Sequence, residues 1–199
     1  MSQSIEELIE NKIASHGDLH LVAPECEKGI DSVILSPTVP FRIHNLKVQP
    51  VPIWPGDHGY FAEVFRTGHG FPAAYDLKHT QISAALTYPG EIKACHYHLH
   101  QTDCWMADPG MLQVALVDLR CVSPTFGARN GMYAGVLRPW QLLIPQGIAQ
   151  GYKVISLDPS VLVYATDQFY NSKDEGRIVH NNPAIAYDWE SQDKIGLWP

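Results

Sequence analysis

The sequence has no cluster of lysine and arginine, no CxxC pair and no long apolar run. Its 14 basic residues are outnumbered by 21 acidic ones, for a net charge of −7. Nonspecific nucleic-acid binding depends on clustered cations, so this class of function is excluded. A transmembrane helix needs roughly 18–20 apolar residues in a row, and no stretch provides them. The N-terminus has neither a basic nor an apolar segment, so we expect no signal peptide and a soluble, cytoplasmic protein without membrane partners.

The cysteines and the overall composition indicate one ordinary globular domain. None of the four cysteines has the spacing of a metal-binding or redox pair, which predicts reduced thiols: Cys26, Cys95, Cys104 and Cys121. Hydrophobic residues make up 45% of the 199, enough for a sizeable core. The 15 prolines and 15 glycines are spread along the chain, as in proteins made of many short strands joined by turns.

Periodicity predicts one helix followed by strands. Ser4 can cap a helix from Ile5 to about Ala14, with Gly17 ending the run. Nine later segments are rich in β-branched or aromatic residues: 32–35, 41–48, 60–65, 81–86, 92–100, 112–118, 142–144, 153–155 and 161–165. We therefore predict an all-β jelly-roll or cupin barrel with an N-terminal helix and few short helices. Residues 1–40 would form the helix and an extension, and residues 41–199 the cupin domain.

Three histidines at every second position mark the candidate site. His96, His98 and His100 would project from one face of a strand, where an apolar strand would carry valine or leucine. Asp103 follows after a short connection. This pattern indicates chemistry on a rigid sheet, either a metal site or a general base with supporting groups.

The metal interpretation places one divalent ion between His96, His98, Asp103 and Gln150. Two imidazoles and a carboxylate suit zinc, iron, manganese or nickel. The spacing from Gly90 through the histidines to Gly110 matches the first cupin motif, with Asp103 in place of the usual glutamate. The second cupin motif is half present, because Gln150 stands where its histidine is expected.

The alternative makes His96 a general base. Histidine is the natural group for removing a proton from a carbon beside a ketone near neutral pH. Tyr164, on a predicted strand, could return a proton from the other face. Lys93 lies three residues before His96 and so has the opposite strand parity; it would need a β-bulge or the barrel rim to reach the same pocket.

Proline and glycine stand at fixed offsets within several strand-rich stretches: 117–120 with 123–127, 144–152, 164–170 with 175–176, and 182–189. In these stretches the chain resembles the dTDP-4-dehydrorhamnose 3,5-epimerase family of cupin-fold nucleotide-sugar epimerases. The resemblance runs from about Pro52 to Trp189.

The resemblance implies a jelly-roll homodimer that needs no cofactor or metal. Its substrate would be a nucleotide-linked 4-keto-6-deoxy sugar, inverted at carbon 3, carbon 5 or both by abstraction and return of a proton. His96 matches the catalytic base of the family and Tyr164 its catalytic acid. The positions that match substrate contacts are His58, Glu63, Gln81, Lys93 and Tyr170.

Several of these positions depart from the family pattern. His58 and Lys93 stand where the family has arginine, and Asp103 where it has a lysine. Gln150 replaces a histidine, and His98 a glutamine. These changes reduce the positive charge that a diphosphate and an enolate both favour. The resemblance therefore implies a divergent epimerase, with a metal-dependent isomerase or dioxygenase and a noncatalytic sugar-binding cupin as the alternatives.

Overall fold

The structure, a computed structural model, describes residues 13–16, 19–29, 32–38 and 43–190. Within these residues the chain forms fifteen strands and one short 3-10 helix, Phe71–Ala74. The strands are β1 Ile13–His16, β2 Leu19–Val22, β3 Ser32–Val33, β4 Lys47–Pro50, β5 Ile53–Gly56, β6 Gly59–Ala62, β7 Gln81–Thr87, β8 Ile92–His98, β9 Asp103–Ala107, β10 Met111–Asp118, β11 Arg129–Gly135, β12 Trp140–Ile144, β13 Ile148–Val154, β14 Ser160–Thr166 and β15 Glu175–Arg177. The predicted all-β fold is confirmed.

Two sheets face each other across the main core. The six-stranded sheet has the order β15-β8-β13-β10-β11-β3, and the five-stranded sheet the order β4-β12-β9-β14-β7. Leu112 and Val114 of β10 meet Trp105, Leu142 and Leu162 of the opposite sheet in this core. Alternate residues of a strand point to opposite faces, so each sheet contributes one set of side chains to the shared interior.

The N-terminal residues lie partly in the sheets. Residues 5–12 of the predicted helix fall outside the described residues, but Ile13 and Ala14 lie in β1, which pairs with β2. This end of the helix prediction is corrected to a strand, because the backbone hydrogen bonds run to β2 instead of along a helix. Strand β3 pairs with β11, and the division of the chain at residue 40 stays a prediction.

Two exposed features lie outside the core. Strands β5 and β6 form a separate two-stranded hairpin whose turn contains Asp57 and His58. Strand β7 lies at an edge of the five-stranded sheet, and its outward side chains include the exposed Ile82 and Leu86. Among the residues that the structure describes, no helix is long and apolar enough to cross a bilayer.

Candidate active site

A cavity of about 920 Å³ is lined by residues of both main sheets. It brings together seven of the predicted site residues from strands β7, β8, β9 and β14 and from the loop after β14: Gln81, Lys93, His96, His98, Asp103, Tyr164 and Tyr170. Gln150 lies behind this lining, buried and hydrogen-bonded to Asp103. The imidazole at position 96 and the phenol at position 164 therefore share one cavity, as the general-base interpretation requires.

His96 is half-buried on β8 between two aromatic neighbours. Its ring centroid lies 6.0 Å from that of Trp105 and 5.6 Å from that of His98. Burial lowers the pKa of His96 below its ordinary value of 6.5; Asp103 opposes this shift, and the neighbouring His98 adds to it. The ring is therefore neutral near pH 7 and free to accept a proton.

Lys93 reaches the cavity because β8 contains a bulge. In the pairing with β13, His96 lies opposite Gln150 while Lys93 lies opposite Tyr152. From His96 to Lys93 is three residues along β8, but their partners on β13 are only two residues apart. The extra residue of the bulge therefore turns Lys93 to the same face of the strand as His96. The β-bulge that Lys93 was expected to need is therefore present, and Lys93 and His96 line the same cavity.

Asp103, at the start of β9, is fixed by three donors. Its Oδ1 accepts a hydrogen bond from Gln101 Nε2 at 2.7 Å. Its Oδ2 accepts hydrogen bonds from Trp105 Nε1 at 3.1 Å and from Gln150 Nε2 at 2.7 Å. The side chain is 2% exposed. All three of these neighbours donate, so both carboxylate oxygens serve as acceptors.

His98 lies between two carboxylates. Its Nδ1 is 3.3 Å from Asp174 Oδ2, and its Nε2 is 3.9 Å from Asp103 Oδ2. Burial disfavours the charged ring, but the contact with Asp174 and the negative charge of Asp103 outweigh burial and raise the pKa of His98. His98 therefore holds a proton more readily than His96, although the two rings are neighbours.

Asp174 anchors the end of β8. Its carboxylate accepts hydrogen bonds from the backbone N–H groups of Leu99, His100 and Gln101, at 3.1, 2.7 and 3.1 Å. Burial disfavours its ionisation, but the contact with His98 and these N–H groups together hold the pKa of Asp174 below its usual range. The loop that carries Asp174 is thereby joined to the strand that carries His96.

The opposite wall carries the phenols. Tyr164 of β14 lies opposite Trp105 in the pairing with β9 and opposite Ser83 in the pairing with β7. Tyr170 lies at the mouth, where its backbone N–H donates to Gln81 Oε1 at 3.2 Å. Gln81 therefore holds the Tyr170 loop against β7.

His58 and Glu63 do not line the cavity of their own chain. Both are exposed, His58 in the turn of the β5–β6 hairpin and Glu63 just after β6, where its carboxylate pairs with Arg66 at 2.6 Å. The reason is topological, since this hairpin forms a two-stranded sheet of its own and pairs with neither main sheet.

Comparison with known proteins identifies the family. The family model described as dTDP-4-dehydrorhamnose 3,5-epimerase matches residues 41–196. The chain belongs to this epimerase family. The predicted family and the predicted enzyme class, a nucleotide-sugar epimerase, are confirmed.

Two relatives of this epimerase cover most of both chains. The spore coat polysaccharide biosynthesis protein SpsL of Bacillus subtilis is 38% identical over 153 residues, covering 75% of this chain and 98% of that protein. The probable low-salt glycan biosynthesis epimerase Agl13 of Haloferax volcanii is 31% identical over 154 residues, covering 76% and 97%.

A solved structure shares the fold of this epimerase. It is the dTDP-6-deoxy-D-glucose-3,5-epimerase RmlC of Legionella pneumophila in complex with dTDP-4-keto-L-rhamnose. The match has a TM-score of 0.65 at 25% identity and covers 75% of this chain and 80% of that one. The predicted cupin-type jelly roll is thus confirmed.

The ligands of the metal alternative are only partly suited to an ion. One side-chain atom each of His96, His98 and Asp103 lies within 4.8 Å of the others, which is close enough for a shared ion. Gln150, however, turns its amide nitrogen toward Asp103, whereas a metal would need the oxygen. Asp103 would also have to exchange established hydrogen bonds for the ion. The comparisons give this alternative no support.

Sequence reasoning misses four residues of this epimerase site: Gln101, Trp105, Asp174 and Arg177. Trp105 carried a usable signal, because it lies two residues after Asp103 and so shares its strand face. Asp174 carried none, since it contacts backbone groups 73–75 positions away in the chain. Glu175 and Arg177 also line the cavity and pair with each other at 2.6 Å.

Proposed function

We propose that this epimerase inverts carbon 3, carbon 5 or both of a nucleotide-linked 4-keto-6-deoxy sugar, with His96 as the base and Tyr164 as the acid. The observation that carries the proposal is an imidazole and a phenol lining one cavity. The two side chains come from different sheets, β8 and β14, so a sugar between them would have one group on each side. Inversion requires such an arrangement, because the proton leaves one face of the carbon and returns to the other.

The steps of the reaction use only groups of the chain and the substrate. Neutral His96 takes the proton from the carbon beside the ketone, and the electron pair of the broken C–H bond moves into an enolate. The Tyr164 hydroxyl then donates a proton to the opposite face of the same carbon. No cofactor is proposed, since the ketone itself stabilises the carbanion.

Substrate binding is assigned to cavity residues that match the chemistry of a sugar nucleotide. Lys93 and Arg177 line the cavity and supply cations for the diphosphate. Gln81 and Tyr170 lie at the mouth, where an amide and an aromatic ring suit a nucleoside. The base of the nucleotide is left to experiment, and the predicted cytoplasmic location stays a prediction.

The homodimer is part of the same proposal. The β5–β6 hairpin exposes Trp54 and Phe61, which are 52% and 64% accessible and lie with ring centroids 5.6 Å apart and ring planes tilted by 36°. Exposed aromatic pairs of this kind are typical of protein interfaces. A second copy covering this hairpin would place His58 and Glu63 near the cavity of that copy, where the family resemblance expects substrate contacts.

Solvent exchange tests the catalytic roles. The protein is incubated in D₂O with dTDP-, UDP-, GDP- and CDP-linked 4-keto-6-deoxy sugars, and NMR monitors the sugar. Deuterium should enter carbon 3 or carbon 5. His96→Ala should abolish exchange, whereas Tyr164→Phe should retain exchange and lose net inversion. Persistent exchange in His96→Ala would refute the assignment of His96 as the base. Stoichiometric metal in the untagged protein that disappears in His98→Ala would instead favour the metal-dependent alternative.

The oligomer has its own test. Phe61→Asp should convert the dimer to a monomer in size-exclusion chromatography with light scattering, with Leu157→Asp, at an exposed position outside the hairpin, as the control. A wild-type monomer, or a dimer that survives Phe61→Asp, would contradict this part of the proposal.

A further inference from the structure

Tyr152 of β13 lines the cavity but takes no part in the proposed reaction. Resting on the proposed function, we propose that its hydroxyl group donates a hydrogen bond to the hydroxyl group on carbon 2 of the sugar. Tyr152 is then a specificity residue. The enzyme thereby prefers 4-keto-6-deoxy sugars that carry this hydroxyl over their 2-deoxy analogues.

The Tyr152 hydroxyl has a protein partner on one side only. Its oxygen lies 2.9 Å from Thr87 Oγ1, and among the described residues this is the only side-chain hydrogen bond that either hydroxyl makes. Two hydroxyls have two protons, and the bond between them uses one. Thr87 is 3% exposed and does not line the cavity, whereas Tyr152 does. Both protons therefore find an acceptor when Thr87 donates to Tyr152 and Tyr152 donates into the cavity.

Tyr152 is a neutral donor held in one place. Burial raises the pKa of the phenol; the contact with Thr87 opposes this shift, and the neighbouring Tyr164 adds to it. The ring lies edge-on to Trp105, with the two ring centroids 6.0 Å apart. Packing on Trp105 and the bond to Thr87 together fix the direction of the hydroxyl, as a selective contact requires.

The register of β13 with β8 indicates which part of the sugar meets Tyr152. Its partner on β8 is Lys93, which we assign to the diphosphate on carbon 1. The partner of His96 is Gln150, two residues before Tyr152 and on the same face of β13. When His96 faces carbon 3, carbon 2 lies between the base and the diphosphate. The hydroxyl on carbon 2 is then the sugar oxygen at the level of Tyr152.

Two other substrate oxygens fit this position less well. The diphosphate favours the exposed side of the cavity, because Lys93 is exposed and the Arg177 side chain is 70% accessible, whereas Tyr152 is 3% exposed. The ketone is on carbon 4, across the sugar ring from carbon 1. It therefore points away from Lys93 and from the register partner of Lys93, which is Tyr152.

Paired substrates test this contact. The wild-type kcat/KM for the 2-hydroxy sugar should exceed that for the 2-deoxy analogue about tenfold, because the analogue leaves a buried donor unpaired. Tyr152→Phe should reduce this ratio to less than about twofold. Thr87→Val is the matched control, since it breaks the same hydrogen bond but leaves the phenol, and it should keep the preference. A wild-type ratio below about threefold, or an unchanged ratio in Tyr152→Phe, would overturn the inference.

Calorimetry gives a second readout that needs no turnover. Nucleotide-linked 6-deoxyglucose and 2,6-dideoxyglucose have no ketone and cannot react, so their Kd values, measured with the same four nucleotides, should differ about tenfold in the wild type and agree in Tyr152→Phe. The nucleoside diphosphates alone should bind both proteins equally. Weaker binding of these diphosphates to Tyr152→Phe would indicate a phosphate contact, and an equal fall in kcat with both sugars a ketone contact; either result would overturn the inference. Absence of wild-type deuterium exchange with every 4-keto sugar would refute the proposed function, and the Kd values would then decide the role of Tyr152 alone.

Discussion

Gly151 should control whether Lys93 reaches the cavity. It lies on β13 opposite the bulge of β8, between the register partners of His96 and Lys93. A Cβ atom added there would lie 2.2 Å from Ala94 Cβ, 2.7 Å from Ala94 Cα and 2.9 Å from the Lys93 carbonyl oxygen. Two of these three atoms belong to the backbone, so no flexible side chain can move aside, and Gly151→Ala must push the bulge away from β13.

The size of the effect follows from these contacts. Ordinary van der Waals contact begins near 3.4 Å, so the bulge would have to retreat by about an ångström. Overpacking in a tight interior costs about 3 kcal/mol. For a chain of this length that corresponds to a fall in Tm of about 6–12 °C. Lys93 would leave the cavity with the bulge, and the loss of one charged hydrogen bond to the substrate should raise KM about tenfold.

Thermal denaturation and steady-state kinetics measure both effects. Gly56→Ala is the matched control, because a Cβ there meets only the Gly59 carbonyl oxygen, at 4.0 Å. Lys93→Ala should raise KM by a similar factor to Gly151→Ala, and the double variant should add little to either, since both remove the same contact. A Tm within about 2 °C of wild type, or fully additive effects on KM, would refute the reasoning.

Three further predictions concern charges and thiols. The pKa of His98 is raised in the folded protein, so its contribution to stability is fully present below pH 6.5 and is lost as pH rises through the raised pKa. His98→Gln should therefore lower Tm more at about pH 6 than at about pH 9. The opposite trend would contradict the assignment. Asp118 is fully buried and accepts two hydrogen bonds from the Arg120 guanidinium at 2.8 Å, so Asp118→Ala should cost about 3–5 kcal/mol in urea denaturation, and a loss below about 1 kcal/mol would refute this estimate. Burial raises the pKa of the Cys95 thiol to about 12, so iodoacetamide should modify the exposed Cys121 and spare Cys95 in the native protein. Mass spectrometry measures both modifications, and rapid modification of Cys95 in the native protein would contradict the prediction.

The period-two pattern placed His96 and His98 on one face because strand parity is a local property, whereas His100 lies past the end of β8 and is not among the residues that line the cavity. His96 and His98 face the same cavity, and the pattern needs no information from the rest of the chain. Lys93 shows the limit of that rule, since its orientation depends on a bulge whose cause, the missing side chain of Gly151, lies on another strand. Gly151 and the bulge of β8 are far apart in the sequence, so their contact cannot be predicted from either segment alone.

The other differences also arise from contacts between distant segments. Strand β11, Arg129–Gly135, is buried along its whole length and therefore lacks the alternation that reveals a half-exposed strand. Ile13 and Ala14 fall at the end of the predicted helix, yet pairing with β2 makes them extended. His58 and Glu63 lie in a hairpin whose place in the site, in our proposal, depends on a second copy, which one sequence cannot reveal.

Redesign of the substrate preference of this enzyme would have to spare Asp174. The Asp174 carboxylate holds the turn after β8 through three backbone N–H groups, so exchanging loop 171–174 for a longer or shorter one would remove these anchors from the end of the strand that bears the base. Tyr170, by contrast, is held to Gln81 by one hydrogen bond from its backbone N–H group. That side of the entrance can therefore be varied without displacing the strand that carries His96.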